Sequence, residues 1–313
     1  MVQPLRILVV GAGAIGGYFG GRLLAAGRDV TFLVRPARRA RLAHDGLRII
    51  SPRGDLHLAN PPCVSADDLN GAYDLVLLAC KAYDLDAAMQ DIAGAVGKGT
   101  SILPLLNGLR HLDALDERFG AARVLGGQCV ISSTLDPAGT ILHLNDQHVL
   151  TFGERDGSRP EWVAAIGAMM AGAGFEARVS ETILLDMWEK FVFLATLAGI
   201  TCLMRAPIGD IVAAGGTAAT LALLEEARAT AEAEGYPPRP AFLDRARAML
   251  TAAGSSLAAS MLRDIEHGAA IEAEQVLGDL LRRHEKHLRD GSFMLLAAHV
   301  HVAAYEARRM RAP

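Results

Sequence analysis

The amino-acid sequence predicts an α/β fold: an N-terminal doubly wound sheet over residues 1–180, followed by an all-helical C-terminal domain over residues 181–313. Three observations lead there. Short apolar runs alternate with helical periodicity through the first half, as a sheet covered by helices on both faces requires. The first of those runs passes directly into Gly11-Ala-Gly13-Ala-Ile-Gly16, and that loop into a helix. From Ser180 onward the periodicity is helical to the end, broken only at clusters such as Gly235-Tyr-Pro-Pro238 and Gly254-Ser-Ser256. At 313 residues the chain can bury two cores of ordinary domain size.

Residues 5–10 form the first strand, and a helix follows over 15–26, stopped by Gly27. Strand, glycine turn and helix together make the first half of a Rossmann-type, dinucleotide-binding unit. Gly11 permits the tight turn, Gly13 lets backbone approach a pyrophosphate, and Gly16 lets the helix pack close to the strand. Ala14 and Ile15 open the helix, whose unpaired N–H groups face the phosphates. The strand over 29–34 ends in Arg35, where an NAD enzyme carries an acid for the ribose 2′-hydroxyl. A carboxylate there would repel a 2′-phosphate, whereas a guanidinium grips it with two parallel hydrogen bonds, so the expected cofactor is NADP(H). Arg38, Arg39 and Arg41 either add positive potential or form a solvated helix start.

Residues 74–79 and 100–106 are continuous apolar runs suited to central strands. Further strands are expected over 124–132, 139–144 and 148–152, the last two forming a hairpin that turns at Asn145-Asp146-Gln147. A helix over 160–172 has Pro160 in its first turn, a strand covers 175–179, and the last helix covers 292–309.

The charges nearly balance, 31 basic against 35 acidic, which gives no reason to expect nucleic acid or an anionic membrane as partner. Cys63, Cys80, Cys129 and Cys202 lack CxxC spacing, so neither a disulfide framework nor a metal site is expected; they read as reduced core residues. The apolar stretch 191–204 is shorter than the about 20 residues a bilayer needs and is flanked by Lys190 and Arg205, so it reads as a buried helix. The opening residues show no cationic-apolar-small leader pattern, and the expectation is a cytoplasmic protein. The alanine-rich helical half suits a homodimer as well as a self-contained core.

In an open α/β sheet the ligand sits beyond the carboxyl ends of the strands. Lys81 and Asn107 stand at two such ends, Lys81 placed for cofactor phosphate or ribose and Asn107, before Gly108, for the nicotinamide and the reacting carbon. Lys190, bordered by the apolar stretch, is expected to be partly desolvated, which lowers the pKa of an ammonium and suits a proton donor near neutrality. Ser260 and Glu272 follow in the helical half. Each residue alone leaves a plainer reading open: a strand-end lysine, a turn former ahead of glycine, a snorkelling lysine, an N-cap serine, a solvated glutamate.

Taken together, these positions resemble the ketopantoate reductase family, the NADPH-dependent 2-dehydropantoate 2-reductases. The resemblance spans the chain. It rests on the GxGxxG loop, arginine ending the second strand, Cys80-Lys81-Ala82, Asn107-Gly108, Trp188-Glu-Lys190, and Ser260-Met-Leu-x-Asp264 with a glutamate twelve residues after the serine. It implies a Rossmann domain followed by a helical one, and reduction of 2-dehydropantoate to pantoate in pantothenate biosynthesis. It further implies that Lys190 is the general acid, Asn107 a ligand of nicotinamide and of the 2-oxo acid substrate, and Ser260 a substrate ligand. Glu272 would touch the cofactor and help place the lysine, and Arg35 and Lys81 would bind NADP.

The sequence departs from the family on the long helix. The family's lysine is followed at four and eight residues by asparagines that hold the pantoyl group; Leu194 and Ala198 stand there, and Ile208 aligns with a further asparagine. Helix positions i, i+4 and i+8 share a face. Thr201, about one turn further along, is the polar substrate-binding candidate left. A surface of Leu and Ala discriminates hydroxyls weakly. Two alternatives therefore stand beside pantoate formation: reduction of a more apolar or differently shaped oxo acid, and a catalytically weak NADP-binding sensor.

Overall fold

The computed structural model describes residues 4–288 and 292–311. They form two compact units: the chain up to Leu106 together with His111–Ile183, and Asn107–Arg110 together with the chain from Leu184 onward.

The first unit contains β1 (Arg6–Val10), α1 (Ala14–Ala25), β2 (Asp29–Leu33), α2 (Pro36–Asp45), β3 (Leu47–Ile50), β4 (Leu56–Leu58) and β5 (Cys63–Val64). Then come β6 (Leu75–Leu78), α3 (Leu85–Asp91), β7 (Ser101–Pro104), α4 (Arg110–Phe119), β8 (Gly126–Leu135), β9 (Ile141–Gly153), α5 (Glu161–Met170) and β10 (Glu176–Val179). Five strands make one parallel sheet in the order β5-β2-β1-β6-β7. The chain winds outward from β1 on one side, then crosses to β6 on the other, so the carboxyl end of β1 lies at the switch point where such sheets bind ligands. Ile7, Leu8, Val9 and all of β6 are fully buried, which is why these strands read as unbroken apolar runs. The doubly wound Rossmann-type sheet predicted from the sequence is present.

The later strands build a second sheet. β8 runs antiparallel along β9, β3 and β10 pair parallel with opposite ends of β9's other edge, and β4 pairs with β3. The hairpin expected over 139–152 does not form: β9 is one continuous strand. Ser133 faces His143 and Ile131 faces His148, so Asn145-Asp146-Gln147 is a bulge within the ladder. Asn145 Oδ1 accepts the Ser132 N–H (3.0 Å), and a ring nitrogen of His143 meets the Gln147 carbonyl (3.0 Å). The polar residues that suggested a turn instead satisfy the interrupted backbone. β3, β4 and β5, too short to announce themselves as apolar runs, complete the two sheets. Pro160 is the N-cap of α5, one residue ahead of its first turn.

The second unit is all-helical: α6 (Ile183–Met204), α7 (Ile208–Ala213), α8 (Thr217–Ala233), α9 (Pro240–Leu250), α10 (Ser260–Glu266), α11 (Asp279–His287) and α12 (Phe293–Arg309), with a π-helical stretch, Glu274–Gly278, leading into α11. α6 is its axis. Phe191, Val192, Ala195, Ile200 and Cys202 are buried, and a Cβ at Gly199 would lie 2.7 Å from Leu223 of α8, so that crossing needs glycine. The Glu226 carboxylate accepts the N–H groups of Met294 (3.0 Å) and Leu295 (2.7 Å) and so caps α12. α6 ends at Arg205, the one non-glycine with positive φ (54°) among the described residues, where the Ala206 N–H reaches back to the Thr201 carbonyl (3.2 Å) in a Schellman-type stop.

No helix among the described residues is long and apolar enough to cross a membrane. None of the four cysteines is in a disulfide, but only Cys129 and Cys202 are core residues; Cys63 and Cys80 are half-buried, because both lie at the carboxyl side of the parallel sheet.

Candidate functional site

In the first unit the glycine loop closes the end of β1. Gly11 has φ +91°, and its N–H donates to the Leu33 carbonyl (3.0 Å). A Cβ at Gly16 would run into the Gly11 carbonyl oxygen, so only glycine lets α1 start this close to its own loop. Gly13 is different: no atom lies within 4 Å of where its Cβ would be. Gly13 is also the N-cap of α1, with no capping side chain and no acid in the first turn. Ala14 and Ile15 open α1, where the first N–H groups have no partner within the helix and the positive end of the helix dipole lies. That arrangement fits a pyrophosphate.

Arg38 braces the loop. Its Nε donates to the Ala12 carbonyl and its Nη1 to the Gly139 carbonyl (both 3.1 Å), while its buried Nη2 has no partner. Burial and the neighbouring Arg41 push its pKa down. Arg39 binds Ser65 and Asp68, and Arg41 reaches the Pro137 carbonyl (3.3 Å), so these three arginines are anchored rather than merely solvated. The sequence offers Arg38 only as added positive potential or a solvated helix start, because its partners lie in other segments.

Arg35 lies just past β2 at the N-cap of α2, exposed and ion-paired with Asp84. The hydrogen bond that Arg35 donates to Asp84, then the charge of that carboxylate, push the Arg35 pKa up. Lys81, also exposed, precedes the one-turn helix Ala82–Asp84 beyond β6. Gly11, Gly13, Ala14, Ile15, Gly16, Arg35 and Lys81 thus all lie at the carboxyl side of one sheet. The residues present fit a pyridine dinucleotide.

The second unit gathers the others. Asn107 and Gly108 belong to it through Gln275: the buried Gln275 amide donates to the Asn107 carbonyl (3.1 Å), and Gly108, at φ +77°, has room for no Cβ because the Gln275 carbonyl would lie 2.7 Å away. Gln275 lies in the π-helical stretch, a deformation common at functional sites. Half-buried Glu272 precedes it by three residues, and its carbonyl accepts the Val276 N–H (3.1 Å). The structure therefore brings Asn107 and Glu272 onto adjoining segments.

Lys190 is half-buried on α6. Its neighbours fix the helix's rotation. Trp188 is buried and stacks on Tyr236 at 5.9 Å, with the Arg283 guanidinium 5.6 Å from its ring. Glu189, 5% exposed, accepts the Arg239 backbone N–H (2.8 Å) and its guanidinium Nε (2.7 Å). Neither Gln275 nor the Glu189–Arg239 pair was singled out from the sequence; the available signal was a glutamate inside an otherwise apolar helix.

Along the same face, Leu194 is half-buried and Ala198 buried. Thr201, the polar candidate for substrate binding, is fully buried. Its hydroxyl donates to the Leu197 carbonyl (2.6 Å) and accepts the Ala259 N–H (3.4 Å). The segment before α10 packs over this end of α6, with Ile208 and Gly209 donating to the carbonyls of Leu257 (2.9 Å) and Ser255 (2.8 Å), and Ile208 is buried with it. Thr201 therefore supports the residue before Ser260. Ser260 itself is exposed, and it is not an N-cap: Ala259 holds that position.

A Rossmann sheet with this loop, continued by a helical unit that carries Lys190, defines the class: a pyridine-nucleotide-dependent oxidoreductase. The family model described as Ketopantoate reductase PanE/ApbA matches residues 7–157, and the one for its C-terminal part matches residues 182–294. The chain belongs to the ketopantoate reductase family. It is 37% identical over 306 residues to the Bacillus subtilis protein named Uncharacterized oxidoreductase YkpB, covering 97% of this chain and 100% of that one. It is 31% identical to the 2-dehydropantoate 2-reductase of Mesorhizobium japonicum, covering 88% and 92%. Among solved structures, 2-dehydropantoate 2-reductase from Geobacter metallireducens GS-15 superposes with a TM-score of 0.86 at 29% identity, covering 96% and 100%. A D-mandelate dehydrogenase solved with NADH and anilino(oxo)acetate shares the fold at 19% identity and TM-score 0.86, covering 98% and 100%.

Proposed function

We propose that the protein reduces a small 2-oxo acid to the 2-hydroxy acid with NADPH, 2-dehydropantoate being the first candidate. What supports the proposal is that Asn107, Lys190, Ser260 and Glu272 all belong to one compact unit, Asn107 bonded to Gln275 three residues after Glu272 and the residue before Ser260 bonded to Thr201. When bound, the reduced nicotinamide supplies the hydride to the keto carbon. Lys190 stabilises the negative charge that builds on the carbonyl oxygen and protonates it, a contribution of about 10²–10⁴-fold. Asn107 aligns donor and acceptor, Ser260 holds the carboxylate, and Glu272 steadies the lysine. Arg35 and Lys81 take the 2′-phosphate end of the cofactor.

Leu194 and Ala198, with Thr201 committed to internal bonds, favour a second reading within the same chemistry: an oxo acid whose side chain is apolar where pantoate carries a hydroxyl. The reading also carries a cytoplasmic location and a homodimer. The dimer rests on the exposed stripe Phe293, Leu296 and Val300 of α12 and is checked by sedimentation. NADPH absorbance followed against a panel of 2-oxo acids tests the activity. Fast oxidation with 2-dehydropantoate supports the first candidate, and preference for a hydroxyl-free oxo acid supports the second. Tight cofactor binding with no turnover on any of them would replace both with an NADP-binding sensor. Comparable affinities for NADP⁺ and NAD⁺ would overturn the Arg35 assignment.

A further inference from the structure

We propose that Asp84 is a cofactor-discriminating residue, competing with a dinucleotide's 2′-phosphate for Arg35 and so setting how strongly the protein prefers NADP over NAD. The inference rests on the dinucleotide site read above. β2 and β6 flank β1 on either side. Arg35 follows the first and Asp84 the second, so their ion pair links the two neighbours across the end of the strand that bears the glycine loop. The pair is not a by-product of helix capping. Asp84 occupies the N-cap of α3, where an aspartate ordinarily accepts a first-turn N–H, yet its side chain makes no capping bond and turns to Arg35 instead.

The two partners are unequally exposed, 71% for the Arg35 side chain and 31% for Asp84. Asp84 is the better-fixed member: its backbone N–H donates to the Lys81 carbonyl (2.9 Å), which holds the turn that presents the carboxylate. Arg35 uses Nη2 for this contact, and the guanidinium is otherwise turned to solvent. A 2′-phosphate arriving at that outer edge shares the cation with a carboxylate already in place, and the two anions repel. A 2′-hydroxyl adds no charge, and a carboxylate is the group that accepts its hydrogen bond in NAD-binding sites. One residue pair thus holds opposed preferences, Arg35 for the phosphate and Asp84 for the bare ribose.

Titration calorimetry on the intact protein, with NADP⁺, NAD⁺ and 2′,5′-ADP as probes, tests this with wild type, Asp84→Asn and Asp84→Glu at low and high salt. Asp84→Asn should bind NADP⁺ and 2′,5′-ADP about tenfold more tightly at low salt, as expected for removing one charge a few ångströms from a dianion near the surface. Its NAD⁺ affinity should stay the same or fall, and the gain should shrink at high salt. Asp84→Glu should keep the wild-type ratio. A thermal melt checks that each variant is folded, and Asp84→Ser replaces the asparagine variant if that one melts early. An unchanged NADP⁺/NAD⁺ ratio, or weaker NADP⁺ binding by a folded neutral variant, overturns the assignment and makes Asp84 a brace for Arg35. A wild type that binds none of the probes overturns instead the nucleotide site beneath it.

Discussion

The glycine loop of the first unit and the α6 face of the second differ in how far apart in the chain their parts lie. The loop is six consecutive positions, each governed by a local rule: Gly11 by its positive φ, Gly16 by overlap with the Gly11 carbonyl, Ala14 and Ile15 by their place at a helix start. The set proposed for the helical unit comes from four separate segments, beside which lie the hydrogen bonds of Gln275, of Thr201, and of Glu189 with Arg239. A site built from contiguous backbone fails only when its own residues change. One assembled from distant segments also fails when a remote, buried hydrogen bond is lost.

The largest effect that would break this contrast concerns Lys190. Lys190→Ala should lower turnover by about 10²–10⁴-fold while leaving NADP⁺ affinity nearly unchanged; steady-state NADPH oxidation beside a binding titration reads both, and an unchanged rate removes Lys190 from its role. Next come the two glycines of the loop. Gly16→Ala should cost about 3 kcal/mol, a drop in Tm of about 10 °C, because the added methyl collides with backbone. Gly13→Ala, with open space around its Cβ, should keep the wild-type melt and lose dinucleotide affinity. Equal melts for the two variants would contradict the difference in their surroundings.

Arg239→Ala sharpens the other side. It leaves the Glu189 carboxylate buried without its partner, at a cost of about 2–3 kcal/mol. It should also lower kcat through α6 while dinucleotide affinity stays constant, whereas a uniform loss of both would show no selective coupling.

The first unit has a non-local polar network of its own. Tyr18 bonds His148 (2.8 Å), which stacks at 5.7 Å on His143, itself bonded to Ser51 (2.8 Å). Burial, then the charges of His143, Arg53 and Arg22, push the His148 pKa down against a weaker opposing pull from Glu176. The unfolded chain takes this proton near pH 6.5, the folded chain only at lower pH, so the contribution is present above about 6.5 and is lost as pH falls toward the folded value. Melts between pH 7.5 and 5.5 should show a shallower acid decline for His148→Gln than for wild type. The smallest effect is at Arg205, where Arg205→Gly should stabilise by about 0.5 kcal/mol, relief of the left-handed conformation outweighing the freedom glycine gains when unfolded. A lower Tm would show that the arginine side chain contributes more than its backbone costs.

Legibility followed the same division. The central strands, α1 and the glycine loop were readable because burial on both faces writes an unbroken apolar run and a phosphate-binding turn demands glycine at fixed offsets. The bulge at Asn145-Asp146-Gln147 was misread as a turn, since both arrangements call for polar residues that satisfy free backbone groups and only the pairing with β8 separates them. The burial of Thr201 was illegible for a related reason. Helical periodicity puts it on the face of Lys190, but periodicity does not say that the segment ending in Ala259 covers that part of the face.

By itself the sequence determined the α/β class, the glycine loop at the end of the first strand and the all-helical second half. These follow from short-range rules of burial period and backbone conformation, which act within one or two turns of chain. Tertiary structure alone decided that Asn107 is held by Gln275, that Thr201 is buried, that Arg38 braces the glycine loop and that Arg35 is met by Asp84. Each of those depends on a hydrogen bond between residues at least 26 positions apart, a separation at which local preference carries no information about which groups will meet.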